Sequence, residues 1–270
     1  MTQETPEQLR HRYEVERQLA NELKNADAAT RRKLYPTLYQ RLFQQCPHHP
    51  RLTLQQDPEA IRQAVQARMR ILKPFLSPQA TFLEIAPGDC QLAFAAAAHV
   101  KRAIGIDISA QSNLLSNAPG NFHLILYDGY DFPVAPHSID IIFSYQVIEH
   151  IHPDDLPNHF AQIHRSLTPN GFFIFDTPHR ASGPHDVSRH FSATPQGFHL
   201  KEWTLHEIIP LLRSAGFSRI LPIRRARTWP PSIAIPLTIC VETMLVPFPT
   251  RLRQKLAARL LPSITLALRP

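Results

Sequence analysis

Glycine is scarce in this 270-residue chain, which has 8, under half of the roughly 7% that is ordinary. That excludes collagen-like repeats and flexible linker tracts, and it makes the place of each glycine informative. Cysteine is scarcer still. Cys46, Cys90 and Cys240 share no metal-ligand spacing and leave an odd thiol, which argues against a disulfide framework and for a reducing compartment. The first residues, MTQETPEQLRHRYEVERQ, lack the apolar stretch of a secretory signal. A long hydrophobic run is missing too: residues 229–248 are the most apolar, but Pro230, Pro231, Pro236, Glu242 and Pro247 interrupt them, so no bilayer-spanning helix of roughly 20 residues is expected. A cytoplasmic protein is expected. There is no internal repeat and no low-complexity tract.

What is present is a core-forming composition, 43% hydrophobic, of a length for one large domain. Charge is unevenly spread. From Lys201 onward there are 11 Lys or Arg against 3 acidic residues, while residues 1–200 sum to −1. The basic character therefore belongs to the C-terminal quarter.

Residues 1–76 are expected to be an N-terminal helical cap. Leu34, Tyr35, Leu38, Tyr39, Leu42 and Phe43 recur at three- and four-residue spacings, which makes one strongly apolar helix face, and Pro36 is expected to kink that helix or start a new turn. Asp57 followed by Pro58 reads as an N-cap and first-turn pair. This region is expected to pack, with a substrate lid as the other reading.

From Ala80 the period changes. The β-rich runs TFLEIA, RAIGID, FHLILYD, IDIIFSYQ, GFFIFDT, SRILPIR and ITLALR are separated by helical stretches, including SAQSNLLSN and PDDLPNHFAQIHRSL. Such alternation predicts an α/β fold, a seven-stranded, mostly parallel, Rossmann-like sheet with helices on both faces. It spans residues 77–270, with an insertion at about 228–262 before the last strand. Thr204 and Glu207 form a capping box for a helix that Gly216 stops.

In open parallel sheets the ligand sits beyond the carboxyl ends of the strands. The first such loop is TFLEIAPGDC, where Gly88 permits close approach of backbone and the next helix start offers free N–H groups. Nineteen residues on, Asp107 closes the second strand, a place from which a carboxylate accepts from ribose hydroxyls. Asp128 and Gly129 end the third strand, where a small polar turn suits an adenine edge. Gly105, inside its strand, reads as close packing. A dinucleotide fingerprint does not fit, because it would need glycine at Ala86 and glycine or alanine at Gln91.

These parts, with SYQVIEHI after IDIIF and with LTPNGFFIFDTP and AGF further on, resemble class I S-adenosylmethionine-dependent methyltransferases of the type 11 kind over roughly residues 80–217. The resemblance implies S-adenosyl-L-methionine as cofactor. It implies that Glu84, Ala86, Pro87 and Gly88 line its methionine end, Asp107 and Ile108 its ribose, Asp128 and Gly129 its adenine, and Tyr145 and Gln146 the approach to the sulfonium. The family usually has glycine at the positions of Ala86 and Cys90, and alanine is expected to fit at the first with a negative φ.

The implied reaction is in-line attack of an acceptor on the sulfonium methyl, helped mainly by alignment and desolvation. A hydroxyl acceptor of high pKa also calls for a base, and histidine is the natural choice. Among the 15 histidines, His150 ranks first and His190 second, from the loops after the fourth and fifth strands. QVIEH is similar to a segment that holds a divalent ion in some family members through two glutamates and a histidine. Gln146 stands where the first glutamate would be, so no metal is expected.

In the insertion, Thr250 is expected to cap a helix RLRQKLAARLL whose Leu252, Leu256 and Leu260 form one stripe among Arg251, Arg253, Lys255 and Arg259. The stripe is expected to pack on the sheet; the other reading is peripheral contact with an anionic membrane surface. Taken together, the sequence predicts O-methylation of a small-molecule, lipid or saccharide acceptor. The alternatives are RNA ribose methylation, disfavoured because basic and aromatic residues do not interleave, and a non-catalytic S-adenosylmethionine-binding protein.

Overall fold

A computed structural model describes residues 4–54, 57–109 and 117–270. The helical stretch expected over SAQSNLLSN falls largely outside the described residues. Four helices precede the sheet: α1 (Pro6–Asn25), α2 (Ala28–Gln45), α3 (Pro50–Leu54) and α4 (Pro58–Leu72). A capping box between Thr5 and Gln8 starts α1, and the Asp57 carboxylate accepts from the amides of Glu59 and Ala60 to start α4, as its sequence predicts. Pro36 does not break α2, which runs through it. The apolar face of α2 is held by packing on α1 around Leu19, Leu23, Leu38 and Leu42, enough to tolerate one lost backbone hydrogen bond.

The sheet has eight strands: β1 (Thr81–Ile85), β2 (Arg102–Asp107), β3 (Phe122–Leu126), β4 (Ile139–Tyr145), β5 (Leu167–Pro178), β6 (Arg219–Arg224), β7 (Arg227–Thr228) and β8 (Ser263–Arg269). Their order is β3-β2-β1-β4-β5-β8-β6-β7. The pairs from β3 to β5 are parallel. β8 lies antiparallel between β5 and β6. The seven expected strands all form; the eighth is the two-residue β7, which turns back on β6.

Side chains alternate across the pleat, so neighbouring positions feed two cores. Leu83, Ile142 and Phe173 meet Phe160 and Ile163 of α6 (Leu156–Ser166) and Ile208 and Leu212 of α7 (Leu205–Ser214). Phe82, Phe143 and Ile174 meet α5 (Gln91–Ala97) and the end of α4. Thus α4 covers the sheet, while α1 and α2 form a separate layer over the carboxyl ends of the strands. Gly105 is where β2 must be bare: a Cβ there would lie 3.0 Å from Pro87 Cγ, which is the close packing its sequence position suggests.

The insertion forms α8 (Pro231–Leu245) and α9 (Thr250–Leu260). Glu242, buried on α8, accepts from the amides of Leu205 and His206 and pairs with His179 at 2.7 Å, so the insertion caps the N-terminus of α7. Two expectations for α9 are corrected. Thr250 is its first helical residue and makes no side-chain cap. The leucine stripe does not pack on the sheet: Leu252 and Leu260 are exposed, and the buried contact is made by Ala257.

Candidate active site

The turn from β1 into α5 sets the site. Ala86, Gly88 and Cys90 have φ of 52°, 59° and 59°, so the loop holds three left-handed residues with one glycine among them. The expectation of a negative φ at Ala86 is therefore overturned. The Ala86 amide donates to Ile106 O at 2.8 Å and the Cys90 amide to Pro87 O at 3.0 Å. These bonds, with Cys90 buried in the core, offset the roughly 1–2 kcal/mol that each non-glycine left-handed residue costs.

Glu84 is buried in β1, its Oε2 has no hydrogen-bond partner, and burial pushes its carboxyl up to about 8. At the end of β2, the amide and hydroxyl of Ser109 both donate to Asp107 Oδ1, at 3.0 and 3.2 Å. Burial pushes the Asp107 carboxyl above the usual range, against hydrogen bonds from Ser109 and from the Gly88 amide.

A cavity opens over this floor, lined by Ala86, Asp107, Ile108, Gly129, Tyr145, Gln146 and His150. Seven of the twelve residues expected at the site thus share one wall. Glu84, Pro87 and Gly88 do not line the cavity. Asp128 is turned away: its carboxylate accepts from Arg32 at 2.7 Å and from the amides of Tyr130 and Asp131. His190 is also apart, exposed on the short 3₁₀ turn Val187–His190, where its Nε2 accepts from Arg189 Nε at 3.1 Å.

The cap roofs the cavity. Tyr35, Leu38 and Tyr39 of α2 and Arg51 of α3 line it, and Arg51 lies 5.1 Å over the Tyr39 ring. The Tyr35 hydroxyl accepts from the His152 amide at 2.9 Å. The spacing in the sequence marks Tyr35, Leu38 and Tyr39 as part of one apolar face, with a lid as one reading of the region, but assigns none of them to the site, and nothing local marks Arg51.

The floor fits an adenosyl sulfonium in its chemistry. Asp107 and Ser109 line the cavity together with the rings of Tyr127 and Tyr130, and the Gly88 amide hydrogen-bonds the Asp107 carboxylate. Glu84, in the strand that leads into the Gly88 turn, keeps a buried carboxyl oxygen without a hydrogen-bond partner.

At β4, Gln146 has φ 55°, and its Nε2 donates to Asp176 Oδ1 at 2.7 Å. Tyr145 and Gln146 separate this cavity from a larger one over β4, β5 and β8, about 700 Å³ against about 150 Å³. The larger cavity is lined by Arg68, Arg70 and Arg225, and Arg68 stands 4.3 Å over the Tyr145 ring. No ion pair forms at these three arginines among the described residues.

His150 sits in the 3₁₀ turn Ile148–His150. Its Nδ1 donates to Phe198 O at 2.9 Å, which leaves Nε2 unprotonated. Burial pushes its imidazolium down to about 3, so it offers a lone pair without being a strong base. Glu149, His150 and His199 bring one ligand atom each within 4.8 Å of one another, the one such group found among the described residues.

Residues 83–175 match the methyltransferase domain family. A search of curated proteins finds no match to the chain. Among solved structures, a Haloferax volcanii complex of the Trm112 methyltransferase activator and a methyltransferase is similar at TM-score 0.53 and 16% identity, over 78% of this chain and 94% of that one. Phosphoethanolamine N-methyltransferase 2 of Haemonchus contortus, solved with S-adenosyl-L-methionine, is similar at TM-score 0.52 and 20% identity, over 74% of this chain and 51% of that one. An Archaeoglobus fulgidus SAM-dependent methyltransferase gives TM-score 0.52 and 15% identity, over 77% and 94%. These likenesses show the fold.

Proposed function

We propose that this chain, of which residues 83–175 match the methyltransferase domain family, is a class I S-adenosylmethionine-dependent methyltransferase that takes S-adenosyl-L-methionine as its cofactor and methylates a hydroxyl oxygen on a lipid or lipid-like small molecule. The observation that carries this reading is the pair of cavities meeting at Tyr145 and Gln146. One is built for a nucleoside; the other, larger and basic, suits an acceptor with an anionic group.

The bound cofactor supplies an activated methyl on sulfur, so the protein's share is alignment and exclusion of water. Asp107 would hold the ribose diols, and Ile108, Gly129 and Tyr127, which line the same cavity, would hold the adenine. Tyr39 and Arg51 close the roof. Gln146, fixed by Asp176, and Tyr145 set the gap across which the acceptor approaches. His150 presents its Nε2 lone pair on the acceptor side.

The basic cavity continues past Ile223 and Arg225 into an apolar groove lined by Trp229, Ile233 and Leu237. On α8, Ile233, Leu237 and Met244 are 60%, 54% and 65% exposed, spaced as one helix face. Val246, Phe248, Leu252 and Leu260 extend it, with Arg251, Lys255 and Arg259 beside it. No described helix is long and apolar enough to cross a membrane. An apolar face with a basic rim suits insertion at the surface of an anionic bilayer, which would deliver a lipid acceptor beside the groove.

The test is methyl transfer from labelled cofactor into fractionated cell extract. Label in the organic phase is expected, together with sedimentation on vesicles containing phosphatidylglycerol that Leu237→Glu reduces. Label confined to RNA, or cofactor binding with no transfer to any fraction, would overturn the reading.

A further inference from the structure

We infer that the basic cavity over β4, β5 and β8 and the apolar groove bordered by α8 and α9 form one continuous subsite for a single-chain phosphate lipid. Arg68, Arg70 and Arg225 take the phosphate, and the groove takes the hydrocarbon chain. This rests on the proposed lipid acceptor and adds the charge of its headgroup, the number of its chains and the residues that select them.

The two spaces, about 700 Å³ and about 290 Å³, share Ile223, Arg225, Pro262, Ser263 and Thr265 as lining residues. Arg68 enters the cavity from α4 and Arg225 from the turn between β6 and β7, so unconnected segments bring their cations to one place. Neither finds a carboxylate within ion-pair distance among the described residues. Uncompensated like charges repel one another, and a bound anion removes that repulsion. The guanidinium fork suits phosphate oxygens, which it can hold through two parallel hydrogen bonds.

Arg225 is set by its backbone. It forms with Ala226 a two-residue turn between Arg224 and Arg227 of the paired strands β6 and β7, and both turn residues are left-handed, with φ of 50° and 57°. Asn-Gly is the usual occupant of such a turn, and a long side chain held there is a conformation that collects at ligand clamps. The neighbouring Arg224 is already used: its Nη2 donates to Leu260 O at 3.0 Å. That bond ties the turn to the end of α9, and so holds Arg225 where cavity and groove meet.

The charge of the ligand follows from the lining. Asp176 is the single acid on the cavity among the described residues, and its carboxylate is occupied by Gln146 Nε2 at 2.7 Å and by the hydroxyls of Ser263 and Thr265 at 2.9 and 2.5 Å. Three guanidiniums against one carboxylate match a dianionic phosphomonoester better than a carboxylate. The groove has no acidic lining residue among those described, and Trp229, Ile233, Leu237 and Leu260 give it exposed apolar surface. One groove accepts one chain. A bilayer surface alone accounts for this less well, because Arg68 is half-buried and stacked 4.3 Å over the Tyr145 ring. A phosphate held there brings a hydroxyl of the same headgroup to the wall of Tyr145 and Gln146.

The full chain is titrated calorimetrically with lysophosphatidic acid below its micelle concentration, beside glycerol 3-phosphate, which lacks the chain, and a monoacylglycerol, which lacks the phosphate. Lysophosphatidic acid is expected to bind at least about a hundredfold more tightly than glycerol 3-phosphate, as burial of several methylenes implies. Its advantage over the monoacylglycerol is expected to be at least about tenfold. Arg225→Gln and Arg68→Gln should remove most of that second advantage and leave the monoacylglycerol unchanged, while Ile233→Asp should weaken both lipids and spare glycerol 3-phosphate. Equal affinity for the three probes, or undiminished lysophosphatidic acid binding in both arginine variants, would overturn the subsite. Should Arg68→Gln not unfold cooperatively, Arg225→Gln, at an exposed turn, decides it. Binding of the phosphate lipid with no methyl transfer to any lipid of the extract leaves the subsite standing and sinks the acceptor reading. Transfer to lipid that Arg225→Gln does not slow sinks the subsite and leaves the acceptor reading in place.

Discussion

Arg31 of α2 grips Asp155, at the start of α6, with both arms of its guanidinium, at 2.7 and 2.6 Å. The Tyr130 hydroxyl adds a third bond to the same carboxylate at 2.8 Å. The carboxylate is thus spent on the cap rather than on its own helix, which has no side-chain N-cap. Both partners are buried, and this pair clamps the roof to the methyltransferase domain.

Breaking such a pair from one side strands a buried charge. Arg31→Ala is expected to lower stability by about 3 kcal/mol and to weaken cofactor binding, because Tyr35 and Tyr39 lose their seat. Urea unfolding of Arg31→Ala, Asp155→Ala and the double variant checks this. The double variant should lose much less than the sum, and strict additivity would show that the pair is not a clamp.

Ala86 and Cys90 hold the left-handed backbone that glycine adopts freely. Ala86→Gly is therefore expected to stabilise the chain by up to about 1 kcal/mol, strain relief being partly offset by the freer unfolded chain. Affinity for S-adenosylhomocysteine should be kept. A fall in melting temperature, or loss of the cofactor, would mean that the Ala86 methyl packs productively and that the loop is not strained.

The sheet was legible because its signal is local. Phe82 and Leu83, or Phe143 and Ile142, are neighbours in near-continuous apolar runs and feed opposite cores, as strands buried on both faces do, and Asp107 and Gly129 sit where those runs stop. The loop at Ala86 was legible in position but not in shape, since propensity favours negative φ for alanine and only the fixed ends of β1 and α5 impose the other sign. Arg51 reaches the cavity from a segment with no pattern of its own, and spacing carries no trace of that. The leucine stripe of α9 shows why periodicity alone is incomplete: it identifies a face without saying whether protein or solvent meets it.

Asp107, proposed to hold the ribose, has one oxygen already anchored by Ser109. Asp107→Ala is expected to weaken S-adenosylmethionine by at least about 1.5 kcal/mol, the loss of a hydrogen bond to a charged group, with the fold intact because Ser109 is partly exposed and can turn to water. Calorimetric titration of the folded variant measures it. Unchanged affinity would remove Asp107 from the ribose and move the nucleoside elsewhere in the cavity.

Glu84 gives the pH dependence of the cofactor-free protein. Burial raises its carboxyl from 4.5 unfolded to about 8 folded, with Asp89 and Asp107 adding to the rise and Arg68 opposing it. Between those values the folded state binds the proton and the unfolded state does not, so ν_U − ν_N is negative and stability falls as pH rises. The loss is at most about 1.4 kcal/mol per pH unit, begins above the unfolded pKa and levels off once pH passes the folded one. Glu84→Gln is neutral throughout and should flatten this slope. Its melting temperature should overtake that of the parent on the alkaline side while the two converge near pH 5. Parallel curves for parent and variant across that window would show that Glu84 is already ionised, held by Arg68, and that its unpartnered oxygen is not a proton-bearing one.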